Sequence, residues 1–282
     1  MQVMPLIDSG NGRKLECYGA YCIIWSERQA LWKSALSQKH WANVGAIFTG
    51  NRDEEGVCRW YFPKKLTGKP WTFSWNGLSF LSHFTSLHHI GVFPEQDACL
   101  CSMEEQIVNA TCLLKLLNLL FYTGIAFLIG ACAGANVTHV DASKKAIARA
   151  KTNPERVGLS DCSICWIYDD AIKFVERELR CQKTYDMIFL GVSAHGRGIH
   201  GEIWQLSDYL TTMITKCCRL FSNKLLAIVL IAHSVRASFY TLHALHDEFI
   251  NLGGRVESGE LILCEETTGC TLSTSLFSRW IA

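Results

Sequence analysis

The sequence predicts an α/β fold built on a mainly parallel sheet, with a smaller β-rich N-terminal appendage. Three observations predict it. From about residue 112, apolar runs of strand length alternate with stretches of helical period. Those runs are apolar along their whole length, which marks strands buried on both faces, as in a parallel sheet covered by crossover helices. Residues 1 to about 108 lack this rhythm and are rich in tryptophan and turn signals. The chain therefore divides into an appendage at 1–108 and a larger domain at 109–282.

In the appendage, Cys58–Arg–Trp–Tyr–Phe62 reads as a strand. Asn76–Gly77 stands between Trp71, Phe73, Trp75 and Leu78, Phe80, and Asn-Gly between such runs signals a hairpin. In the larger domain the predicted strands are Leu116–Leu120, Val137–Val140, Ile164–Tyr168, Met187–Leu190, Leu225–Ile231, Glu260–Cys264 and Ser273–Trp280. Helical patterns cover Thr123–Ala133, Ser143–Thr152, Ala171–Arg180, Ile203–Phe221 and Ser238–Asn251. The last two strands follow one another without a helix, so a hairpin there gives the sheet an antiparallel edge. No internal repeat or low-complexity tract is present.

The length of 282 residues, 49% of them apolar and 19% charged, suffices for one large domain and a smaller one. A net charge of +1 disfavours a broad non-specific nucleic-acid surface and leaves room for a local basic groove. The first residues carry no apolar signal segment. The fourteen cysteines therefore read as reduced, mostly buried thiols of a cytoplasmic protein. Cys162 and Cys165 have C-x-x-C spacing, but no second such pair completes a four-ligand set, so no metal site is expected. These two cysteines flank the start of a strand instead. The uncharged run Leu116–Ala135 approaches bilayer-spanning length. Asn118, Tyr122, Thr123 and three glycines break it where a strand–turn–helix needs breaks. No membrane span is expected, and Leu225–Ala232 is too short for one.

Ligands of such sheets sit outside the carboxyl ends of the strands. The loops there supply Tyr122–Thr123–Gly124, Asp141, Asp169–Asp170 and Gly191–Gly198. The stretch Leu116–Ser143 reads as strand, tight turn at Gly124, helix, turn and a second strand ending in Asp141. An acid at a strand end, about 20 residues after a close-approach turn, is placed to accept the hydroxyls of a ribose. An adenosine-bearing cofactor follows. The closely spaced glycines that a dinucleotide pyrophosphate needs are missing, since Ile125 and Ala126 follow Gly124. This disfavours NAD and FAD and suits S-adenosylmethionine (SAM), which has no phosphates. Plainer roles also exist: Gly124 as a strand terminator, and Asp141 beside a helix start capped by Ser143. Of Asp169 and Asp170, one is expected to cap the following helix. The other is placed to accept from an adenine amine, with Asp170 favoured and Ala142 and Ile172 flanking the ring.

Together these residues carry a resemblance. Asn118–Leu–Leu–Phe–Tyr–Thr–Gly124, Val140–Asp–Ala–Ser–Lys–Lys–Ala146, Asp169–Asp–Ala–Ile–Lys–Phe–Val175 and Gly196–Arg–Gly198 with Gly201–Glu–Ile–Trp204 resemble a bacterial family of class I SAM-dependent methyltransferases. That family is related to large-subunit ribosomal RNA methyltransferases acting on cytosine C5 or guanine N7. The resemblance extends to Leu6–Glu16, Gly91–Gln96, Ser234–Ser238, Glu257–Glu260 and Ser273–Trp280. It implies a Rossmann-like seven-stranded methyltransferase sheet, SAM as cofactor, and RNA, in rRNA processing, as a candidate substrate. It further implies that Tyr122, Thr123 and Gly124 line the methionine part, Asp141 the ribose and Asp170 the adenine side. Phe93 and Gln96 approach from the N-terminal part.

Relatives carry Asp-Pro-Pro-Lys-Phe after the fourth strand, where this chain has Gly191–Val192–Ser193–Ala194–His195. That loop orients the attacking nitrogen beside the methyl group, and such positioning supplies much of the rate. Ser193 and His195 are the candidate substitutes, His195 as a base. C5 methylation of cytosine needs a thiolate. Relatives of that chemistry carry it after the fifth strand, where this chain has His233–Ser234–Val235–Arg236. The leading reading is methyl transfer to a nitrogen or similar nucleophile. The alternative is a SAM-binding homologue without catalysis that serves as an interaction or regulatory module.

Overall fold

The computed structural model describes residues 5–49, 59–64, 69–75, 77–85, 89–154, 164–193, 195–199, 203–233, 238–249 and 253–282. The chain forms two compact units: Met1–Glu95 with Ile262–Ser273, and Gln96–Leu261 with Thr274–Ala282.

In the first unit, β1 (Leu6–Gly10), β2 (Arg13–Tyr18), β3 (Tyr21–Ser26), β4 (Ala46–Thr49) and β5 (Arg59–Tyr61) form one sheet in that order. β1 to β3 are an antiparallel meander, and β4 runs parallel to β3. Helix α1 (Gln38–Ala42) lies in the crossover between those two strands. β6 (Trp71–Trp75) and β7 (Leu78–Ser82) make a separate hairpin, with Trp75 opposite Leu78. Its turn keeps Gly77 at φ 75°, a left-handed value that glycine adopts without cost. Asn76, like Cys58 and Cys162, lies outside the described residues.

Rings pack edge-on inside this unit, Trp25 to Trp60 at 5.2 Å and Phe48 to Trp60 at 5.0 Å. Leu6 and Ala30 share a small core with Leu263 and Leu272. The β2–β3 register sets Cys17 opposite Cys22, with Cα atoms 4.0 Å apart, and the two form a disulfide. The expectation of reduced thiols throughout is therefore corrected by hairpin geometry.

The second unit holds a seven-stranded sheet. Its strands are β8 (Lys115–Leu119), β9 (Asn136–Asp141), β10 (Ile164–Tyr168), β11 (Met187–Ser193), β14 (Ala227–His233), β15 (Arg255–Cys264) and β16 (Thr271–Ile281), in the order β10-β9-β8-β11-β14-β16-β15. The first five of that order are mutually parallel, and β16 is antiparallel to β14. A two-stranded ribbon, β12 (His195–Arg197) with β13 (Ile203–Gln205), stands apart. The helices are α2 (Asp97–Val108), α3 (Ile125–Cys132), α4 (Lys144–Ala150), α5 (Ala171–Arg180), α6 (Leu206–Cys218) and α7 (Phe239–Phe249).

Local sequence accounts for these elements. α3 is apolar all round because it is covered by α2 on one side and by β8 and β9 on the other. Gly130 permits that approach, since a Cβ there would lie 2.5 Å from Leu116. α5 starts at its Asp170 cap, buries Phe174 and Val175, and carries Arg177 and Arg180 in its last turn, where they complement the helix dipole. Leu117, Leu119, Val140, Ile188, Leu190, Ile228 and Leu230 join Phe174, Met213 and Ile214 in one buried core.

Two of the predicted elements change. The predicted helix Ile203–Phe221 is the strand β13 followed by α6. The fourth strand runs past Leu190 to Ser193, because Gly191, Val192 and Ser193 stay paired with Ile231, Ala232 and His233. The free thiols also differ from expectation. Cys99 and Cys217 are buried, whereas Cys101, Cys112, Cys132, Cys165, Cys181 and Cys270 are exposed. Cys132 and Cys181 stand at helix ends, and Cys270 lies in the β15–β16 turn, where no core face is offered. Among the described residues no helix is long and apolar enough to cross a membrane.

Candidate functional site

The segment between β8 and α3 is a strained turn. Leu120, Tyr122 and Gly124 have φ of 64°, 52° and 66°. For leucine and tyrosine this region is costly, roughly 1–3 kcal/mol each, and such strain gathers at functional sites. At Gly124 a side chain has no room. A Cβ would lie 1.8 Å from the Phe127 ring and 3.2 Å from His139.

Asp141 ends β9 beside that turn. Its Oδ2 accepts from the Tyr122 amide at 3.0 Å and its Oδ1 from the Ser143 amide at 2.7 Å. It is buried, and burial raises its pKa to about 6, against the lowering pull of the two amides. Ser143 caps α4 by accepting from Ala146 N at 3.2 Å. The hydroxyl of Tyr122 accepts from Arg149 of α4. Tyr122 and Asp141 are thus hydrogen-bonded together, and the neighbouring Thr123 is buried.

Ala142 follows Asp141 directly, and Tyr168 pairs with Asp141 across β9–β10. This brings Asp169 and Asp170 to the same sheet end. Asp170 caps α5, its Oδ1 accepting from Lys173 N at 3.0 Å. Asp169 accepts from the Asp170 amide at 2.8 Å and pairs with Arg177 at 2.6 Å.

Sequence reasoning singled out neither Asn118 nor His139 as site residues. They face each other in register on β8 and β9, with Trp166 of β10 beyond. Both are fully buried, and Asn118 Nδ2 lies 2.8 Å from His139 Nδ1. An amide nitrogen only donates, so the ring proton sits on Nε2, beneath the strained turn. Burial lowers the pKa of His139 to about 4 and keeps the ring neutral. The available signal was a fully buried amide in β8 opposite a fully buried histidine in β9, which only the strand pairing reveals.

At the other end of the site, Ser193 closes β11 and pairs with His233 of β14. The backbone of His195 opens β12, and its side chain lies outside the described residues. Gln96 is buried, and its Nε2 lies 3.1 Å from His233 Nε2. Gly191 of β11 faces Phe121. A Cβ there would lie 2.8 Å from the Phe121 ring, so Phe121 leaves no room for a side chain. Phe93 belongs to the first unit, with its ring 5.4 Å from that of His89.

A depression of about 580 Å³ lies away from all of these, lined by Glu105, Asn109, Cys112, Leu114 and Lys224 near the amino ends of β8 and β14. Ligands of doubly wound sheets bind at the carboxyl ends, so the Asp141 end is the candidate site. Among the described residues no group of three or more His, Cys, Asp or Glu is placed to hold a metal.

The strand order and a carboxylate beside a close-approach glycine define a Rossmann-like nucleotide-binding class. The chain is 48% identical to a SAM-dependent methyltransferase from Agrobacterium tumefaciens, over 99% of this chain and 90% of that one, with a TM-score of 0.94. It belongs to the SAM-dependent methyltransferases. A protein described as a methyltransferase and solved with S-adenosylhomocysteine (SAH) shares the fold at 15% identity, covering 100% of this chain and 76% of that one, TM-score 0.74. Trm5b from Pyrococcus abyssi shares it at 13% identity, over 95% and 74% of the two chains, TM-score 0.57. No family model and no curated protein matches the sequence.

Proposed function

We propose that this chain binds SAM across the carboxyl ends of β8, β9 and β10 and methylates a nitrogen or similar nucleophile of an RNA. The observation that carries the reading is the Tyr122–Asp141 pair. The Tyr122 amide fixes one carboxylate oxygen and the Ser143 amide the other. Each oxygen keeps a second lone pair, so the fixed carboxylate can accept both ribose hydroxyls. The turn at Gly124 lets backbone approach the methionine part, and Asp170 stands on the adenine side with Ala142. When bound, SAM supplies an electrophilic methyl on a sulfonium. The protein's task is to orient the acceptor and exclude water.

RNA as acceptor is supported by the family resemblance. It is also supported by the fold shared with an aTrm5 structure solved with tRNALeu, at 11% identity and TM-score 0.54 over 92% of this chain.

Calorimetry tests the cofactor. Asp141→Ala is expected to weaken SAM binding by about 1–3 kcal/mol, the range for lost charge-assisted hydrogen bonds. Unchanged affinity removes Asp141 from the site. Labelled methyl transfer to total RNA and total protein then separates an RNA enzyme, a protein enzyme and a binding module.

A further inference from the structure

At the same carboxyl end of the sheet as Asp141, on its β14 side, polar side chains from three segments meet. His233 closes β14 in register with Ser193. Ser275 Oγ of β16 lies 2.9 Å from its Nδ1, and Gln96 Nε2, at the start of α2, lies 3.1 Å from its Nε2. Gln96 and Ser275 are 3% and 6% exposed, so neither is held in place by solvent. The chemistry of the contact fixes the tautomer. An amide nitrogen has hydrogens and no acceptor lone pair, so Gln96 donates and His233 Nε2 accepts. The ring proton is then on Nδ1, donated to Ser275. His139 carries the opposite tautomer, with its proton on Nε2.

A histidine held at Nδ1–H by a hydroxyl, with its Nε2 lone pair meeting an N–H, is arranged as a base. Its place in the sheet matters equally. The strand order reverses between β8 and β11, with β9 and β10 on one side and β11 and β14 on the other. A ligand whose ribose lies at Asp141 on β9 directs its far end toward β11 and β14. Gly191, on β11, offers no side chain there.

We propose that His233 receives the methyl acceptor, with Gln96 and Ser275 as its positioning residues. In the free chain the Gln96 N–H keeps the place that an acceptor N–H takes. This rests on the SAM reading above. In the step itself, the acceptor nitrogen bonds to the methyl carbon as the carbon–sulfur bond breaks, its electron pair staying on sulfur to give SAH. The proton of the acceptor N–H passes to His233 Nε2, and the imidazolium releases it to water. The polar group missing from β11 is thus supplied by β14.

The test uses the whole chain with ¹⁵N-labelled histidine, the His233 signals being assigned with His233→Gln. Two probes are compared: SAH, and the SAM analogue with an amine in place of the methylated sulfonium. The free chain should show the Nδ1–H tautomer at His233, lost or mixed in Ser275→Ala. The amine analogue should shift the His233 ring nitrogens, and SAH should shift them less. In methyl transfer, His233→Gln should lower turnover by about 100-fold, the usual size of a lost base, with SAM affinity within about twofold. Equal shifts with both probes, an Nε2–H tautomer in the free chain, or undiminished turnover overturns the proposal and leaves the SAM reading standing. Failure of both probes to bind overturns both readings, and failure of the amine analogue alone overturns the proposal only.

Discussion

Two buried carboxylates, one in each unit, are held differently. Asp8 of the first unit is fully buried and takes three donors: the amides of Ala35 at 3.1 Å and Leu36 at 2.9 Å, and the Trp41 indole at 2.9 Å. Asp141 of the second unit takes two backbone amides at a strand end, and burial lifts its pKa to about 6. The first is a structural tie that fastens loop and helix to β1. The second retains acceptor capacity and a raised proton affinity, the state of a group kept for a ligand. Glu16 repeats the first pattern, accepting from Lys14 at 2.7 Å and Tyr18 at 2.8 Å. In the segment Leu6–Glu16 the two acids thus serve packing, whereas Asp141 is the carboxylate proposed to meet the ribose.

The sharpest way to break this comparison is Asp8→Ala. It leaves three donors unpaired and should cost about 3–5 kcal/mol of stability by denaturant titration, while the folded fraction keeps its SAM affinity. A fall in affinity per folded molecule would contradict a purely structural Asp8. Gly124→Ala should cost about 2–4 kcal/mol, because a Cβ would meet the buried Phe127 ring at 1.8 Å in a left-handed backbone. Here affinity should fall with stability; unchanged binding would detach the turn from the site.

The smallest effect is a pH slope. Asp141 has its folded pKa raised from 3.8 to about 6, so its ionisation costs stability as pH rises through that window. His139 has its folded pKa lowered from 6.5 to about 4, so its contribution is complete above 6.5 and is lost as pH falls toward 4. The two oppose each other. Asp141→Asn should leave stability rising with pH between about 4.5 and 6.5, and His139→Phe should leave it falling, each by on the order of 1–2 kcal/mol. Slopes of the same sign in both variants would show that these groups do not control the window.

Much of the second unit was legible in the sequence. Ile164–Tyr168 and Ala171–Arg180 have the bounds the periodicity predicts, because an apolar strand and a capped amphipathic helix are each specified locally. The ribbon Ile203–Gln205 was read as helix, since three residues carry no period of their own. The parallel β3–β4 pair left no local trace, because its register depends on a crossover. At the candidate site, the turn at Gly124 and the strand end at Asp141 were legible from spacing. Asn118 with His139, and Gln96 with His233, were not. Those contacts join residues 21 and 137 positions apart, and only the sheet brings them together.

The β15–β16 hairpin is divided between the units: residues 262–273 complete the first, and the rest complete the second. Glu265 at its tip bonds Ser9, and Leu263 and Leu272 cover Leu6. A nascent chain that has emerged as far as residue 95 therefore still lacks part of its first core. It must wait on the ribosome, with Leu6 uncovered, until the segment some 170 residues later has been translated. Residues 1–95 cannot complete their core alone, so the order of synthesis does not set the order of folding in this unit.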